Sequence, residues 1–318
     1  MGKLAFLFPG QGSQYAGMGK ELAESFPAAR AVFEEADRAL GFPLSRLCFE
    51  GPEEELKLTA NTQPAVLTCS LATARVLEQN SVRPDYVAGH SLGEYSALVA
   101  AGSLALADAV VLVHRRGQYM QEAVPEGQGA MAAILGLAAD KLAEVCRQAA
   151  RGEVVSPANL NSPGQIVISG HTAAVERAIE AAKAAGAKRA IRLPVSAPFH
   201  CSLLEPAARR LAADFEKVRF ADLKIPLVSN VDAAPVRSAA EARDALLRQV
   251  PAPVRWEESV RRLSALGCDA FIEVGPGKVL TGLLRQIDTR LLAFNVENRA
   301  SPEKTLARLQ TAKQEAAP

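Results

Sequence analysis

Residues 85–94 of this chain read DYVAGHSLGE, and they indicate both a strand and the helix that follows it. The pattern predicts an apolar strand over residues 85–89 that ends at a sharp turn, and a helix that begins directly after the turn. The pentapeptide GHSLG matches G-x-S-x-G, the pattern of a nucleophile elbow. Such a turn holds its serine in strained backbone, so the residues two positions away on either side must be small. We therefore predict that Ser91 is presented at the carboxyl edge of a sheet.

Strands and helices alternate on both sides of this turn. Strands are predicted at residues 3–8, 85–89, 225–229, 269–274 and 291–294. Helices are predicted at residues 19–39, 63–79, 106–123, 239–248, 256–266 and 278–286. Alternation of this kind predicts a parallel sheet. The predicted fold class is α/β, with an α/β-hydrolase-like large domain formed by residues 1–126 and 197–318.

The segment between residues 127 and 196 has a different order of predicted strands and helices. Strands are predicted at 130–135, 153–160, 165–169 and 188–193, with helices at 139–150 and 172–185. The order βαββαβ is the split βαβ pattern of a ferredoxin-like unit. We predict that residues 127–196 form a small ferredoxin-like domain inserted into the large one.

Composition excludes several classes of function. The 318 residues carry 36 basic and 35 acidic side chains, and aromatic residues make up 5%, so neither a basic surface nor a base-stacking platform is predicted. The apolar run Leu4 to Phe8 is cut by Pro9-Gly10, unlike a signal peptide, and no uncharged stretch reaches the ~20 residues of a membrane span. We expect a cytoplasmic enzyme, monomeric, with neither nucleic acid nor membrane as partner.

The cysteines and histidines do not suggest a metal site. The five cysteines contain no C-x-x-C pair and are odd in number, which favours scattered reduced thiols. The four histidines lack metal-ligand spacing to one another or to cysteine. We therefore predict no bound metal.

A serine nucleophile needs a base that takes its proton. His90 would point away from its neighbour on a tight turn, His114 lies in helical text, and His171 stands at a predicted helix start. His200 lies in a non-repetitive segment that rejoins the large domain, where a base could reach a cleft; a solvent-exposed loop histidine fits the residues nearly as well. No carboxylate stands in a clear strand-end position before His200, which counts against an ordinary esterase triad.

Several motifs together resemble one known family. They are GQGSQ (residues 10–14), GHSLGE (89–94), Arg116-Gly117, NLNSPGQIVISG (159–170), Phe199-His200 and Gln249. In order and spacing they are similar to those of malonyl-CoA:acyl carrier protein transacylases. The resemblance runs through nearly the whole chain and includes the inserted domain. The set is specific, although no single motif is.

The resemblance implies a role for each of five residues. Ser91 would accept the malonyl group from coenzyme A as an ester, and His200 would act as general base and then as general acid. The backbone carbonyl of Gln249 would orient the His200 ring, in place of the missing carboxylate. The N–H groups of Gln11 and Leu92 would form the oxyanion hole. The phosphopantetheine thiol of acyl carrier protein would then attack the ester; coenzyme A enters as a thioester substrate, and no cofactor is implied.

Arg116 is the predicted ligand of the malonyl carboxylate. A guanidinium binds a carboxylate through two parallel hydrogen bonds, which supply both energy and orientation. Arg115 is a one-residue alternative, and on a helix the two side chains point about 100° apart. Judged alone, either arginine fits a solvated helix face. The Arg-Gly pattern of the family favours Arg116.

Three further residues are predicted in the substrate pocket. Phe199 resembles the aromatic position of malonyl-selective acyltransferases, although Ser196-Ala197-Pro198 departs from that motif. A bulky ring there would favour malonyl over methylmalonyl. One methyl group changes the free energy of binding in a pocket by only ~1–3 kcal/mol, so the enzyme would still accept some methylmalonyl. Met120, one turn beyond Arg116, either lines the same pocket or packs within the helix layer. Asn159 would contact ligand from the small domain.

Lys188 and Arg189 precede the last strand of the small domain. They are candidates for docking the acidic carrier protein, and a plain exposed pair is nearly as good an explanation. The favoured reading is therefore a malonyl transferase that uses malonyl-CoA and acyl carrier protein, most simply in fatty-acid biosynthesis. A thioesterase or other serine hydrolase, a trans-acting polyketide acyltransferase and a non-catalytic scaffold are the alternatives.

Overall fold

The computed structural model describes residues 2–195 and 197–315; Ser196, a member of the variant motif before Phe199, lies outside the described residues. The strands are β1 (Lys3–Phe8), β2 (Tyr86–Gly89), β3 (Gly129–Leu135), β4 (Val155–Ser162), β5 (Gln165–His171), β6 (Arg189–Arg192), β7 (Leu227–Val228), β8 (Pro235–Val236), β9 (Cys268–Val274) and β10 (Leu292–Val296). The helices are α1 (Lys20–Ser25), α2 (Pro27–Leu40), α3 (Leu44–Glu50), α4 (Glu53–Leu56), α5 (Thr59–Gln79), α6 (Gly93–Ala100), α7 (Leu106–Glu122), α8 (Ala139–Ala150), α9 (Thr172–Ala184), α10 (Glu205–Phe215), α11 (Ala239–Gln249), α12 (Trp256–Ala265), α13 (Val279–Ile287) and α14 (Ser301–Glu315).

The larger sheet has the strand order β10-β9-β1-β2-β7-β8. Neighbouring strands from β10 to β7 are parallel, as predicted, and β8 closes the far edge as an antiparallel partner of β7. Both faces are covered: Phe6 and Phe8 pack under one helix layer, and Ala5 and Leu7 under the other. Burial on both faces explains why β1 is a continuous apolar run rather than an alternating one.

The smaller sheet has the order β4-β5-β3-β6, with antiparallel neighbours throughout. Together with α8 and α9 it gives the order βαββαβ, so the predicted ferredoxin-like unit and the α/β fold class are confirmed. Ile134 and Ile168 pack against the two helices, and Met131 and Val167 on the opposite face pack near Phe199. The proposed domain boundaries at residues 126/127 and 196/197 stay predictions.

Strand β4 of the small sheet is hydrogen-bonded to segments that cover the larger sheet. The Leu160 N–H donates to Val254 O at 2.9 Å, and the Val254 N–H donates to Ala158 O at 2.8 Å. Farther along, Ser162 Oγ donates to Gln286 Oε1 at 2.9 Å. These bonds fix the small sheet on the loop before α12 and on α13, so the two walls of the cleft between the sheets are joined at its base.

The helix predicted over residues 19–39 is two helices. Phe26 adopts an extended conformation, with φ −126° and ψ 113°, and separates α1 from α2. The following Pro27 explains the break, because its ring disfavours helical backbone at the residue before it. Proline is well tolerated at the first position of the next helix, which begins there.

The predicted strand–turn–helix at Ser91 is confirmed. β2 ends at Gly89, α6 begins at Gly93, and Ser91 between them has φ 51°. A Cβ on Gly89 would lie 1.9 Å from the carbonyl carbon of Gly93. A Cβ on Gly93 would lie 2.1 Å from Phe8 O. Both obstacles are backbone atoms, so the turn and the end of β1 fit together only without these side-chain carbons.

Gly93→Ala should therefore destabilise the fold. The added methyl group meets backbone of β1 that cannot rotate away, and we expect a loss of about 3 kcal/mol in the free energy of unfolding. Urea unfolding of the purified variant measures it. Gly282→Ala in α13 is the matched control, because no atom lies within 4 Å of its added Cβ; alanine should raise helix stability by up to about 1 kcal/mol there. Equal free energies of unfolding for the two variants would contradict the steric argument.

Candidate active site

A cleft of about 520 Å³ lies between the two sheets, at the carboxyl ends of β1 and β2. Ser91 and His200 line it side by side. The other predicted residues on its walls are Gln11, Leu92, Arg116, Met120, Asn159 and Phe199. Gln249 is fully buried behind this wall. The structure thus brings together the predicted catalytic and substrate-binding residues, which come from distant parts of the chain.

Ser91 and His200 form a hydrogen-bonded pair. Ser91 Oγ lies 2.7 Å from His200 Nε2, and His200 Nδ1 lies 3.0 Å from the backbone oxygen of Gln249. A carbonyl oxygen can only accept, so Nδ1 carries the proton and Nε2 is free to accept from the serine. His200 itself has φ 61° and is buried. The serine hydroxyl therefore stands against the basic nitrogen of a neutral imidazole.

Burial keeps His200 neutral. Desolvation, reinforced by the nearby Arg116 guanidinium, lowers the pKa of His200 from 6.5 to about 3. The hydrogen bond to Gln249 O opposes this shift and is outweighed. Both dominant causes disfavour the imidazolium, so the ring is a proton acceptor throughout the physiological pH range.

Arg116 points into the cleft beside the serine and is only 2% exposed. Its Nη2 donates to Ser91 Oγ at 3.0 Å and to Gln249 Oε1 at 2.9 Å. Its Nη1 donates to Gln63 Oε1 at 2.8 Å, and its plane lies over the Tyr95 ring. Desolvation lowers the pKa of Arg116, but from a starting value so high that the guanidinium stays charged. A buried cation is thus fixed next to the hydroxyl.

Arg115, the alternative on the same helix, points elsewhere. Its Nη1 donates to Asp214 Oδ1 at 2.8 Å, and its side chain is 43% exposed. The angular offset of consecutive helical residues accounts for the divergence. Of the two arginines, Arg116 is therefore the one that faces Ser91.

The loop after β1 runs beside the elbow. The His90 N–H donates to Phe8 O at 3.0 Å, which brings the Gln11 loop against the turn. The Gln11 side chain donates from Nε2 to Thr59 Oγ1, at the start of α5, at 3.3 Å. Leu92 stands at the start of α6, where N–H groups have no partner within the helix. The oxyanion role expected of the backbone N–H groups of Gln11 and Leu92 stays a prediction.

The small sheet supplies the opposite wall. Asn159 is 8% exposed and lines the cleft, and Phe199 packs between the two sheets. Asn161 Oδ1 lies 2.9 Å from His90 Nε2, so the His90 ring turns away from Ser91 toward Asn161 and Trp256. His90 therefore ties the elbow to the small sheet.

Met120 lines the cleft one turn beyond Arg116 and accepts from Gln63 Nε2 at 3.7 Å. Through Gln63 it helps fix the guanidinium. Lys188 and Arg189 are exposed at the start of β6 and do not line the cleft. Their suggested role in docking a carrier protein stays a prediction.

Three buried polar residues of the site were assigned no role from the sequence: Gln63, Glu94 and Asn230. Asn230 Oδ1 accepts from the Ser91 N–H at 2.7 Å, and its Nδ2 donates to Gly89 O at 2.7 Å. Asn230 follows β7 at the carboxyl edge of the parallel sheet, a position that could have drawn attention to it. Nothing local distinguishes Gln63, and the burial of Glu94 is a tertiary property.

Among residues 2–195 and 197–315, no group of three or more His, Cys, Asp or Glu side chains is placed to hold a metal ion. In that same part of the chain, no helix is long and apolar enough to cross a membrane. The five cysteines are buried and unpaired.

Comparison with known proteins agrees with this geometry. A family model described as an acyl transferase domain matches residues 5–309. The chain is 51% identical to the malonyl CoA-acyl carrier protein transacylase of Bacillus subtilis over 316 residues, covering 99% of both chains. It is 54% identical to the protein of that name from Escherichia coli K12 over 294 residues, 92% of this chain and 95% of the relative.

Two solved structures are similar over nearly their full length. An acyl carrier protein S-malonyltransferase from Vibrio cholerae superposes with a TM-score of 0.94 at 49% identity, covering 95% of this chain and 99% of the other. A malonyl-transacylase solved in complex with a type II PKS acyl-carrier protein gives a TM-score of 0.94 at 48% identity, with 96% and 99% covered. The chain belongs to the acyl transferase family and, within it, to the malonyl-CoA–acyl carrier protein transacylases.

Proposed function

We propose that this protein transfers a malonyl group from malonyl-CoA to the phosphopantetheine thiol of acyl carrier protein, through an ester on Ser91. The observation that carries the proposal is the buried guanidinium of Arg116, 3.0 Å from Ser91 Oγ. A cation at this distance from the nucleophile selects an acyl group that bears its own carboxylate. The names of the relatives support the same donor and acceptor.

The first half-reaction loads the serine. Ser91 Oγ attacks the thioester carbonyl while its proton passes to His200 Nε2. The N–H groups of Gln11 and Leu92 are the proposed donors to the oxyanion, aided by the N-terminus of α6. The carbon–sulfur bond then breaks, and the leaving thiolate of coenzyme A takes the proton from His200. A malonyl ester and a neutral imidazole remain.

The second half-reaction runs the same steps with a different thiol. The phosphopantetheine thiol gives its proton to His200 Nε2 and attacks the ester carbonyl. Collapse of the tetrahedral intermediate expels Ser91 Oγ, which recovers the proton from His200. Gln249 O accepts from Nδ1 throughout and holds the ring in one tautomer. Each proton that the base accepts is therefore returned within the same half-reaction.

Hydrolysis is the main rival, since the elbow alone fits it. The orienting partner of His200 is a neutral backbone carbonyl rather than a carboxylate. A carbonyl fixes the tautomer but stabilises an imidazolium less than a negative charge does, which weakens activation of water. This geometry supports transfer to a thiol, which ionises far more readily than water.

We infer fatty-acid biosynthesis as the setting, with the coenzyme A thioester as substrate, no cofactor, and the cytoplasm as the location. Type II polyketide synthesis is the second candidate, because a relative 48% identical was solved with a carrier protein of that class. Rates of malonyl transfer to a purified fatty-acid carrier and to a polyketide carrier distinguish them. A higher kcat/KM for the fatty-acid carrier is expected.

Incubation with malonyl-CoA, without carrier protein, should place one malonyl group on the peptide that contains Ser91. The acyl-enzyme accumulates because no carrier protein is present to accept the malonyl group. Peptide mass analysis after rapid quenching detects it. Ser91→Ala should remain unmodified and inactive, and Ser96→Ala, at a buried position on α6, should be loaded normally. Malonyl found at another residue, or none in the wild type, would refute the proposal.

Arg116→Ala should lower the preference for malonyl-CoA over acetyl-CoA. The lost charge-assisted hydrogen bonds are worth roughly 2–4 kcal/mol in a buried site, or roughly 30- to 1,000-fold in the ratio of kcat/KM values. Steady-state transfer to one carrier protein measures both rates. Arg115→Ala is the matched control and should leave the ratio unchanged, since that side chain binds Asp214. An unaltered ratio in Arg116→Ala would exclude it as the carboxylate ligand.

The pH dependence of Ser91 reactivity should lack the usual histidine transition. Acylation requires neutral His200, and with a pKa of about 3 the base remains neutral as pH falls well below 6.5. The rate of modification by an uncharged serine-directed reagent should therefore be flat from pH 8 to about pH 5. In Arg116→Ala the pH below which the rate falls should rise toward 6.5, because the charge of Arg116, the second cause of the lowered His200 pKa, is gone. A wild-type midpoint at 6.5 would contradict the assigned environment of His200.

A further inference from the structure

Glu94 is a buried carboxylate beside the active site to which the proposed mechanism gives no role. It lies in the first turn of α6, three positions after Ser91, and is fully buried. Its Oε1 accepts from the Asn230 N–H at 2.8 Å, and its Oε2 accepts from Gln249 Nε2. Burial raises the pKa of Glu94 to about 7, against these two hydrogen bonds and the charge of Arg116, which lower it. The group is therefore an ionised carboxylate in mildly alkaline solution.

The carboxylate determines which way round the Gln249 amide lies. An ionised carboxylate only accepts hydrogen bonds, so it takes the amide NH₂. The same NH₂ donates to Ser91 O at 3.0 Å. The amide oxygen is then left to face Arg116, whose Nη2 donates to it at 2.9 Å. The chain of donors runs in one direction, from Arg116 through Gln249 to Glu94.

Arg116 needs this arrangement because its charge is buried. Its described hydrogen-bond acceptors are neutral oxygens of Gln63, Gln249 and Ser91. Within residues 2–195 and 197–315, no carboxylate forms an ion pair with it. A buried guanidinium with no balancing charge would cost several kcal/mol. Glu94 supplies a negative charge one amide away, and the attraction between Glu94 and Arg116 opposes the pKa shift that burial imposes on each.

The indirect contact leaves one edge of the guanidinium available. Arg116 Nε is buried and has no hydrogen-bond partner among the described residues. A carboxylate bound directly to Arg116 would have satisfied this N–H and occupied the place of a substrate. With Glu94 held back behind Gln249, the charge is balanced while this N–H keeps no hydrogen-bond partner among the described residues.

We propose that Glu94 is a positioning residue for acyl-group selection: acting through the Gln249 amide, it balances and orients Arg116 so that the guanidinium can bind the carboxylate of the acyl group. This inference rests on the proposed function, in which Arg116 binds malonyl. A purely structural role is the rival, because Glu94 also supports the elbow through Asn230, whose side chain holds the Ser91 N–H. Loss of that support would slow all acyl groups equally.

Glu94→Gln separates the two roles. The new side chain is neutral, and its NH₂ would face the NH₂ of Gln249, so that the amide turns and Arg116 loses its acceptor. At pH 8, kcat/KM for malonyl-CoA and for acetyl-CoA is measured with one carrier protein. We expect the malonyl-to-acetyl ratio to fall about tenfold. Glu94→Asp keeps the charge, and its ratio should lie between those of the wild type and Glu94→Gln. A ratio unchanged in Glu94→Gln, with both rates lowered alike, would overturn the proposal.

A second variant guards against failure of Glu94→Gln to fold. Gln249→Met removes the amide but keeps the backbone carbonyl that orients His200, and it should lower the same ratio about tenfold. An unchanged ratio in this variant would also overturn the proposal. Ser96→Ala is the control on α6, because its hydroxyl is buried without a described hydrogen-bond partner, and its ratio should match the wild type.

The double variant Glu94→Gln with Arg116→Ala tests whether one residue acts through the other. If it does, Glu94→Gln changes the ratio less than about twofold once Arg116 is gone, since the two effects are coupled. A further tenfold fall would overturn the proposal. If Arg116→Ala alone leaves the ratio unchanged, the proposed function fails; if it lowers the ratio while Glu94→Gln and Gln249→Met do not, only the role of Glu94 fails.

Discussion

The close approach of Gly89 to Gly93 is the contact on which the site depends. A Cβ on Gly89 would lie 1.9 Å from the backbone of Gly93, so the chain reverses this tightly only because the side-chain carbons are missing. The reversal places Ser91 at φ 51°, a conformation that costs a non-glycine residue about 1–3 kcal/mol. Asn230 binds the N–H of Ser91 and the carbonyl of Gly89, so the strained turn keeps its hydrogen bonds.

The features that could be predicted from the sequence are those that depend on the spacing and periodicity of residues close together in the chain. The elbow needs two small residues at fixed spacing, and the ferredoxin-like unit needs only the order of apolar periods, so both were found. The continuous helix over residues 19–39 was wrong, because apolar periodicity continues across Phe26 although Pro27 forces that residue out of helical backbone. Periodicity reports which face is buried, and the constraint at a proline acts on the neighbouring residue's dihedral angles.

The site was predictable only in part for a different reason. Ser91 follows from the elbow pattern. The choice of His200 as base over an exposed loop histidine depended on resemblance, as did the choice of Arg116 over Arg115, since both arginines fit the same helix pattern. Glu94 lies within the elbow motif, but its partner Gln249 is 155 positions away. A hydrogen bond across that separation is set by the tertiary arrangement that brings the end of α11 beside the start of α6, and no local feature of the sequence encodes it.

Gln249 joins the base to the cation. Its backbone oxygen fixes the His200 ring, and its side chain holds Arg116, so neither can move relative to Ser91 without the other. The cation adds to burial in lowering the pKa of His200, which keeps the base neutral before substrate arrives. If the acyl carboxylate binds Arg116 as proposed, it would offset part of that positive charge, and the imidazolium that forms when Ser91 gives up its proton would cost less. On this proposal, an acyl group that carries a carboxylate would raise the basicity of the His200 that accepts the Ser91 proton, so the same buried charge would serve both selection and catalysis.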